Sequence, residues 1–149
     1  MANNYVLFSE GLRVTAKDVA WIKAEIDKFE NAPTDEDSDE YRGFLGLCEE
    51  YEVEPDIGLE FQVEYYNKQV IFYSEEGGNW YHVAKLVQNL FRAHYPDAAF
   101  TIGWAETCSR PRPGEFGGGG AVVTAEKIEA MSTWKFFDKV LKKRDRRNE

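Results

Sequence analysis

Cysteine, histidine and methionine are scarce in this chain, with two of each in 149 residues. Cys48 and Cys108 stand 60 positions apart, in neither a zinc-ligand nor a redox spacing, so two reduced thiols are expected, with a disulfide as the alternative. His82 and His94 fall on one predicted helix, 12 residues apart. At 1.5 Å per residue that is about 18 Å, too far to share a metal ion. His94, near the helix C-terminus, reads as a partner for the helix dipole. No apolar run approaches the roughly 18 residues of a membrane span, and the N-terminus lacks the basic-then-apolar order of a signal peptide. A cytoplasmic protein is expected, in the host cytosol if the source is viral. Basic residues are missing from one part above all. Residues 1–60 hold 16 of the 27 acids but only 5 of the 18 lysines and arginines, whereas residues 61–149 hold 11 acids and 13 bases. The net charge of −9 therefore belongs to the first part. A negative field repels nucleic-acid phosphates and attracts a basic groove built to hold them.

What is present suffices for a core. With 43% apolar and 15% aromatic residues, the chain has enough apolar surface to offset the entropy of ordering, and its length fits a single domain over 1–149. Asn4–Phe8 reads as an edge strand that Ser9-Glu10-Gly11 turns. Thr15 to Asp18 has the spacing of a capping box, and Val19, Ile22, Ile26 and Phe29 recur at helical spacing until Asn31-Ala32-Pro33. Leu59, Phe61, Val63 and Tyr65 alternate with Glu60, Gln62, Glu64 and Tyr66, Asn67-Lys68 turns the chain, and Val70–Tyr73 returns. Trp80, Val83, Val87, Leu90 and Phe91 define a helix that Pro96 blocks, and Ala99–Trp104 is the next strand. Ala121–Thr124 and Lys127–Met131 follow as strands, and Ser132-Thr133 caps a last helix with Trp134, Phe137, Val140 and Leu141 apolar. These elements predict an α+β fold: an antiparallel sheet of about five or six strands, with three main helices packed mostly on one face and an acidic loop and short-helix excursion over about 33–57.

In that excursion 11 acids stand between Asp35 and Glu60 against the single base Arg42. Tyr41, Phe44, Leu45, Cys48 and Tyr51 share one side of a short helix, despite Gly43 and Gly46. The Asp35, Asp37, Asp39 spacing matches the first ligands of a calcium loop, but Glu40 replaces its turn glycine and Gly46 its bidentate acid, so no metal site is expected. One reading of the belt is a solvated face kept soluble by charge. The other is a surface that imitates a run of phosphates, carried by Asp35, Glu36, Asp37, Asp39, Glu40, Glu49, Glu50, Glu52 and Glu54, with Tyr41 and Tyr51 as aromatic anchors. Small size, excess acid and no catalytic signature make the chain similar, as a class, to the DNA-mimic and inhibitor proteins that phages and mobile elements carry. The resemblance implies a non-enzymatic, anti-defence type of inhibitor whose partner is a host protein with a basic, nucleic-acid-binding surface.

Two alternatives remain beside it. Glu106-Thr107-Cys108-Ser109 runs into Arg110-Pro111-Arg112-Pro113-Gly114 and then four glycines, Gly117–Gly120, which read as a long loop over 107–120. Trp104, Glu106, Cys108, Arg110, Arg112, Gly117 and Gly118 form an alternative ligand site there, for a small enzyme or an anion or nucleotide binder. A P-loop is excluded, because a strand follows the glycines and no Lys-Ser or Lys-Thr closes them. No catalytic residue, cofactor or metal is assigned. The basic helix end at 139–149 has the opposite sign to the belt, which suggests a structural component or homo-oligomer in which the two meet.

Overall fold

The capping box closes as its spacing predicts: the Asp18 amide donates to Thr15 Oγ1 at 3.2 Å and the Thr15 amide to Asp18 Oδ2 at 2.9 Å. The computed structural model describes residues 2–147. In chain order its elements are β1 (Asn4–Arg13), α1 (Ala16–Glu30), α2 (Asp39–Tyr51), β2 (Gln62–Tyr66), β3 (Gln69–Ser74), α3 (Trp80–His94), β4 (Ala99–Cys108), β5 (Gly117–Thr124), β6 (Ile128–Ser132) and α4 (Thr133–Arg147). The six described strands form one sheet in the order β2-β3-β1-β4-β5-β6, every neighbour antiparallel, so the fold is α+β.

β1 is not at the edge, and Ser9-Glu10-Gly11 does not turn it. The strand runs on to Arg13 in the middle of the sheet. It pairs with β4 over Asn4–Leu7 and with β3 over Phe8–Arg13, so the turn-forming residues are held extended by the second partner. Where pairing with β4 stops, the Glu10 carboxylate accepts from the Gly103 amide at 3.3 Å and takes the place of a ladder bond. Tertiary pairing here overrides local turn preference.

One face of the sheet carries Phe8, Val70, Phe72, Ile102 and Val123, all buried, and α3 covers it with Val83, Leu86, Val87 and Leu90. The indoles of Trp80 and Trp104 stack there at 4.4 Å and 5°. The other face stays open. On it Thr101, Gly103, Gly120, Val122 and Met131 line a shallow depression of about 710 Å³.

The predicted loop over 107–120 is also corrected. β4 continues to Cys108 and β5 begins at Gly117, which leaves only residues 109–116 as the connection. The glycines are strand because the tryptophan needs their space. A Cβ on Gly119 would stand 2.4 Å from the Trp104 indole and 2.6 Å from the Met131 carbonyl; on Gly118, at φ +154°, it would stand 2.3 Å from the Trp104 carbonyl. Four glycines in a row read as a loop by propensity, and close packing from the next strand decides otherwise.

The last helix departs from expectation too. Ser132 caps it, accepting from the Lys135 amide at 3.2 Å, and Trp134 lies beside Gly117 and donates from Nε1 to Glu106 Oε2 at 3.1 Å. Beyond that first turn its apolar side is uncovered: Phe136, Phe137, Val140 and Leu141 keep 53, 47, 49 and 57% exposure. The side chains after Asp145 and residues 148–149 of the predicted basic end lie outside the described residues.

Two alanine substitutions should move stability in opposite directions. Gly118→Ala meets a carbonyl and an unfavourable φ, and is expected to cost about 3 kcal/mol. Gly43→Ala on the outer side of α2 meets nothing within 4 Å and should stabilise by about 0.5–1 kcal/mol through helix propensity. Urea unfolding followed by circular dichroism reads both, and equal effects would contradict this account of the glycine strand.

Candidate partner-binding site

The acidic excursion folds through its own polar side chains. Asp35 accepts from the Asp37 amide at 3.1 Å, its carbonyl accepts from Ser38 Oγ at 2.6 Å, and Ser38 Oγ in turn caps α2 by accepting from the Tyr41 amide at 3.1 Å. The calcium-like spacing of Asp35, Asp37 and Asp39 is thus used to turn the chain and start a helix. Among the described residues no group of three His, Cys, Asp or Glu side chains stands close enough to hold a metal ion.

Asp35, Glu36, Asp37, Asp39, Glu40, Glu49, Glu50, Glu52 and Glu54 are all exposed. They gather at two ends of α2. Glu40 and Glu50 are ten residues apart, about 15 Å along the axis at the helical rise. Among the described residues only Arg42, with Asp39, and Lys85, 3.8 Å from Glu50, form ion pairs with the set. Asp39 and Glu40 suit the positive N-terminal end of the helix, but Glu49, Glu50 and Glu52 crowd its negative end, where the last turn holds no base. Glu52 itself takes the left-handed C-cap conformation, at φ +56°, where glycine is the usual residue. These choices weaken the helix as a helix.

The two tyrosines do not stand out as anchors. Tyr51 is fully buried and is corrected from a partner contact to a core residue; Tyr41 is half-buried, tilted against Phe44 at 6.1 Å. Hydrophobic spacing turns Tyr51 inward with Phe44 and Cys48, and its ring meets Phe29 edge-on at 5.0 Å. Its hydroxyl donates to Glu25 Oε1 at 3.0 Å and accepts from Asn89 Nδ2 at 3.1 Å. Burial, with the charge of Glu25 beside it, pushes the phenol far up, so it stays a donor. Glu25, buried on α1, completes its bonding with Lys28 at 3.0 Å, and Asn89 reaches on to Glu50 at 3.1 Å. The sequence reading missed Glu25, although its place three residues after Ile22 and four before Phe29 sets it on the inner face of α1.

His82 ties down the far end of the excursion. Its Nδ1 accepts from the Glu60 amide at 3.0 Å and its Nε2 lies 3.1 Å from the Glu52 carbonyl, an arrangement that the neutral ring with its proton on Nε2 satisfies completely. Burial holds its pKa below the usual 6.5. His94, read from the sequence as a dipole partner, also locks α3 to α1: its Nδ1 lies 3.0 Å from Asp18 Oδ1, and the Tyr95 hydroxyl donates to Asp18 Oδ2 at 2.7 Å. Burial raises the Asp18 pKa, but the hydrogen bonds from Thr15, Tyr95 and His94 outweigh it and leave it below 3.8.

Of the alternative ligand residues, Trp104, Glu106, Gly117 and Gly118 lie together where β4 pairs with β5, whereas Arg110 and Arg112 stand apart on the connection. Trp104 is core under Trp80, Gly117 and Gly118 are strand, and Glu106 is taken by Trp134. Cys108 is a free, half-buried thiol paired across from Asn4, while Arg110 and Arg112 are exposed on the connection.

The two depressed pKa values give separate pH windows. Stability from neutral His82 is complete above about 6.5 and is lost as pH falls through the folded value; that from ionised Asp18 is complete above about 3.8 and is lost at more acid pH. Urea midpoints between pH 7 and 5 should therefore fall in the native chain, and His82→Gln should flatten that fall. Asp18→Asn should flatten only the acid limb. A native midpoint that rises on acidification from 7 to 5 would contradict the assignment.

Compared with protein-family models, with curated proteins and with solved structures, the chain matches none, so its own surface chemistry carries the functional reading.

Proposed function

We propose that the protein is a non-enzymatic binding module whose acidic excursion occupies a basic, nucleic-acid-binding surface on a protein partner. The observation that carries this is the conflict within α2. Nine exposed carboxylates surround a helix with two exposed glycines, acids at its negative end and a non-glycine left-handed cap, while its aromatic side is buried beneath. Local rules are broken most often where function demands it. Solubility alone does not require acids at both ends of one helix.

The belt competes with phosphates by charge and bulk. Two clusters about 15 Å apart face a basic channel, and the buried side of α2 fixes them to a rigid body, so little ordering entropy is lost on docking. An inhibitor of the anti-defence kind that phages and mobile elements carry works in this way, within the cytoplasm of the host. No described helix is long and apolar enough to cross a membrane.

The test is capture of nucleic-acid-binding proteins by the native chain and by one with Asp35→Asn, Glu36→Gln, Asp37→Asn, Asp39→Asn and Glu40→Gln. The expected result is a partner held only by the native chain, displaced by duplex DNA or by RNA, with affinity falling about tenfold or more between low and high salt. A partner captured equally by both chains, or insensitive to salt, would sink the proposal.

A further inference from the structure

We infer that α4 is an exchanged arm: in a homodimer, the α4 of each copy lies in the groove between α1 and α2 of the other. Three observations meet in this arrangement. First, among the described residues α4 is anchored by its first turn, and Phe136, Phe137, Val140 and Leu141 face solvent at about half exposure. With Trp134 they present roughly 400 Å² of apolar surface, the size at which a patch marks an interaction site. A helix of 15 residues is marginal in water without a covered face.

Second, the polar side of the same helix is strongly basic. Between 133 and 147 stand seven lysines and arginines against two aspartates, so this segment carries +5 and the rest of the chain −14. Pairing α4 with α4 would set like charges together. The complementary surface is on the body of a second copy.

Third, that body has a groove of the matching kind. Between α1 and α2 lies a depression of about 490 Å³ with an apolar floor of Pro33, Phe44 and Leu47 and the acids Asp27 and Glu40 on its rim. Lys28, also on the rim, is paired with Glu25. Gly43 opens the groove on the α2 side. Neither it nor Gly46 has anything within 4 Å of where a Cβ would stand, so no contact inside the chain explains two glycines that weaken the helix. Gly43, in the groove lining, leaves α2 low enough there for another helix to approach.

Phe136 and Phe137 then cover Phe44 and Leu47, while Lys139 and Lys143, which flank them on the helix, face Asp27 and Glu40. The exchange is reciprocal, so a two-fold axis generates two such contacts. The groove shares Glu40 with the proposed partner-binding belt, but its other acid, Asp27, is not part of that belt, and the loop acids Asp35, Glu36, Asp37 and Asp39 lie outside its lining, so the two readings can be tested apart.

Sedimentation equilibrium of the full chain tests it. The expected mass rises with concentration from 17.2 kDa to twice that value. Lys139→Glu and Lys143→Glu together should weaken self-association at least about tenfold, and Asp27→Lys with Glu40→Lys should do the same. Mixing these two charge-reversed chains should restore both arm–groove contacts, since each arm then meets a groove of opposite charge, seen as a heterodimer tighter than either homodimer. Phe136→Ser with Phe137→Ser, at exposed positions, should abolish association, and its urea midpoint should equal that of the native chain measured at concentrations too low for it to dimerise. Changing Asp35, Glu36, Asp37 and Asp39 to amides should leave the dimer intact, which separates this result from loss of a partner. A monomer at every concentration overturns the inference, as does a dimer indifferent to the lysine reversals or a mixture that shows no rescue. Cosedimentation of a monomeric chain with vesicles of phosphatidylcholine and phosphatidylserine would replace it with a membrane-surface role for α4.

Discussion

The acidic excursion repels itself, and the contact that holds it against that repulsion is the buried hydrogen bond from Tyr51 to Glu25, closed over by Phe29 and extended by Asn89. Removing a carboxylate from water is costly unless its charge is paired and its lone pairs are taken. Glu25 meets both conditions, with Lys28 on one oxygen and Tyr51 on the other. The knot joins α1, α2 and α3 at one place, so the charged outer side of α2 is presented from a fixed base. His82 repeats the device at the end of the excursion, where one ring holds the backbone of Glu52 and Glu60 together.

The other half of the molecule is governed by the tryptophans. Trp104 claims the space above Gly119 and stacks on Trp80, while Trp134 lies over Gly117 and binds Glu106. The glycine strand is the consequence, since only residues without Cβ let two indoles and neighbouring backbones come so near. That spends Glu106 and the glycines on structure and leaves Arg110 and Arg112 without a cradle. Charge separation along the chain then becomes the main surface feature: a carboxylate-rich face on α2 and a basic, partly apolar helix after β6.

Much of the fold was legible because periodicity reports burial. The β2–β3 hairpin, α1 with its capping box, α3 ending before Pro96 and β4 from Ala99 all follow from spacing. The failures share one cause. Ser9-Glu10-Gly11 and Gly117–Gly120 have turn-like or flexible composition, and strands distant in sequence hold both extended. For the site, exposure of the acids was legible from their number, whereas Tyr51 belonged to the apolar pattern of α2 and should have been read inward with Phe44 and Cys48. Glu25 was hidden by its charge, although its spacing placed it correctly.

The sequence by itself determined the α+β class, the period of each long element, the location of the charge and the lack of a long apolar run, since these depend on local spacing and composition. Only the tertiary structure decided that β1 is central, that the glycine run is a strand, that Tyr51 and Glu25 are joined, and that α4 leaves its apolar side bare. Each of these depends on which residues distant in sequence come into contact. Hydrogen-bond partners and close packing are set by such contacts, and no window along a single chain contains them.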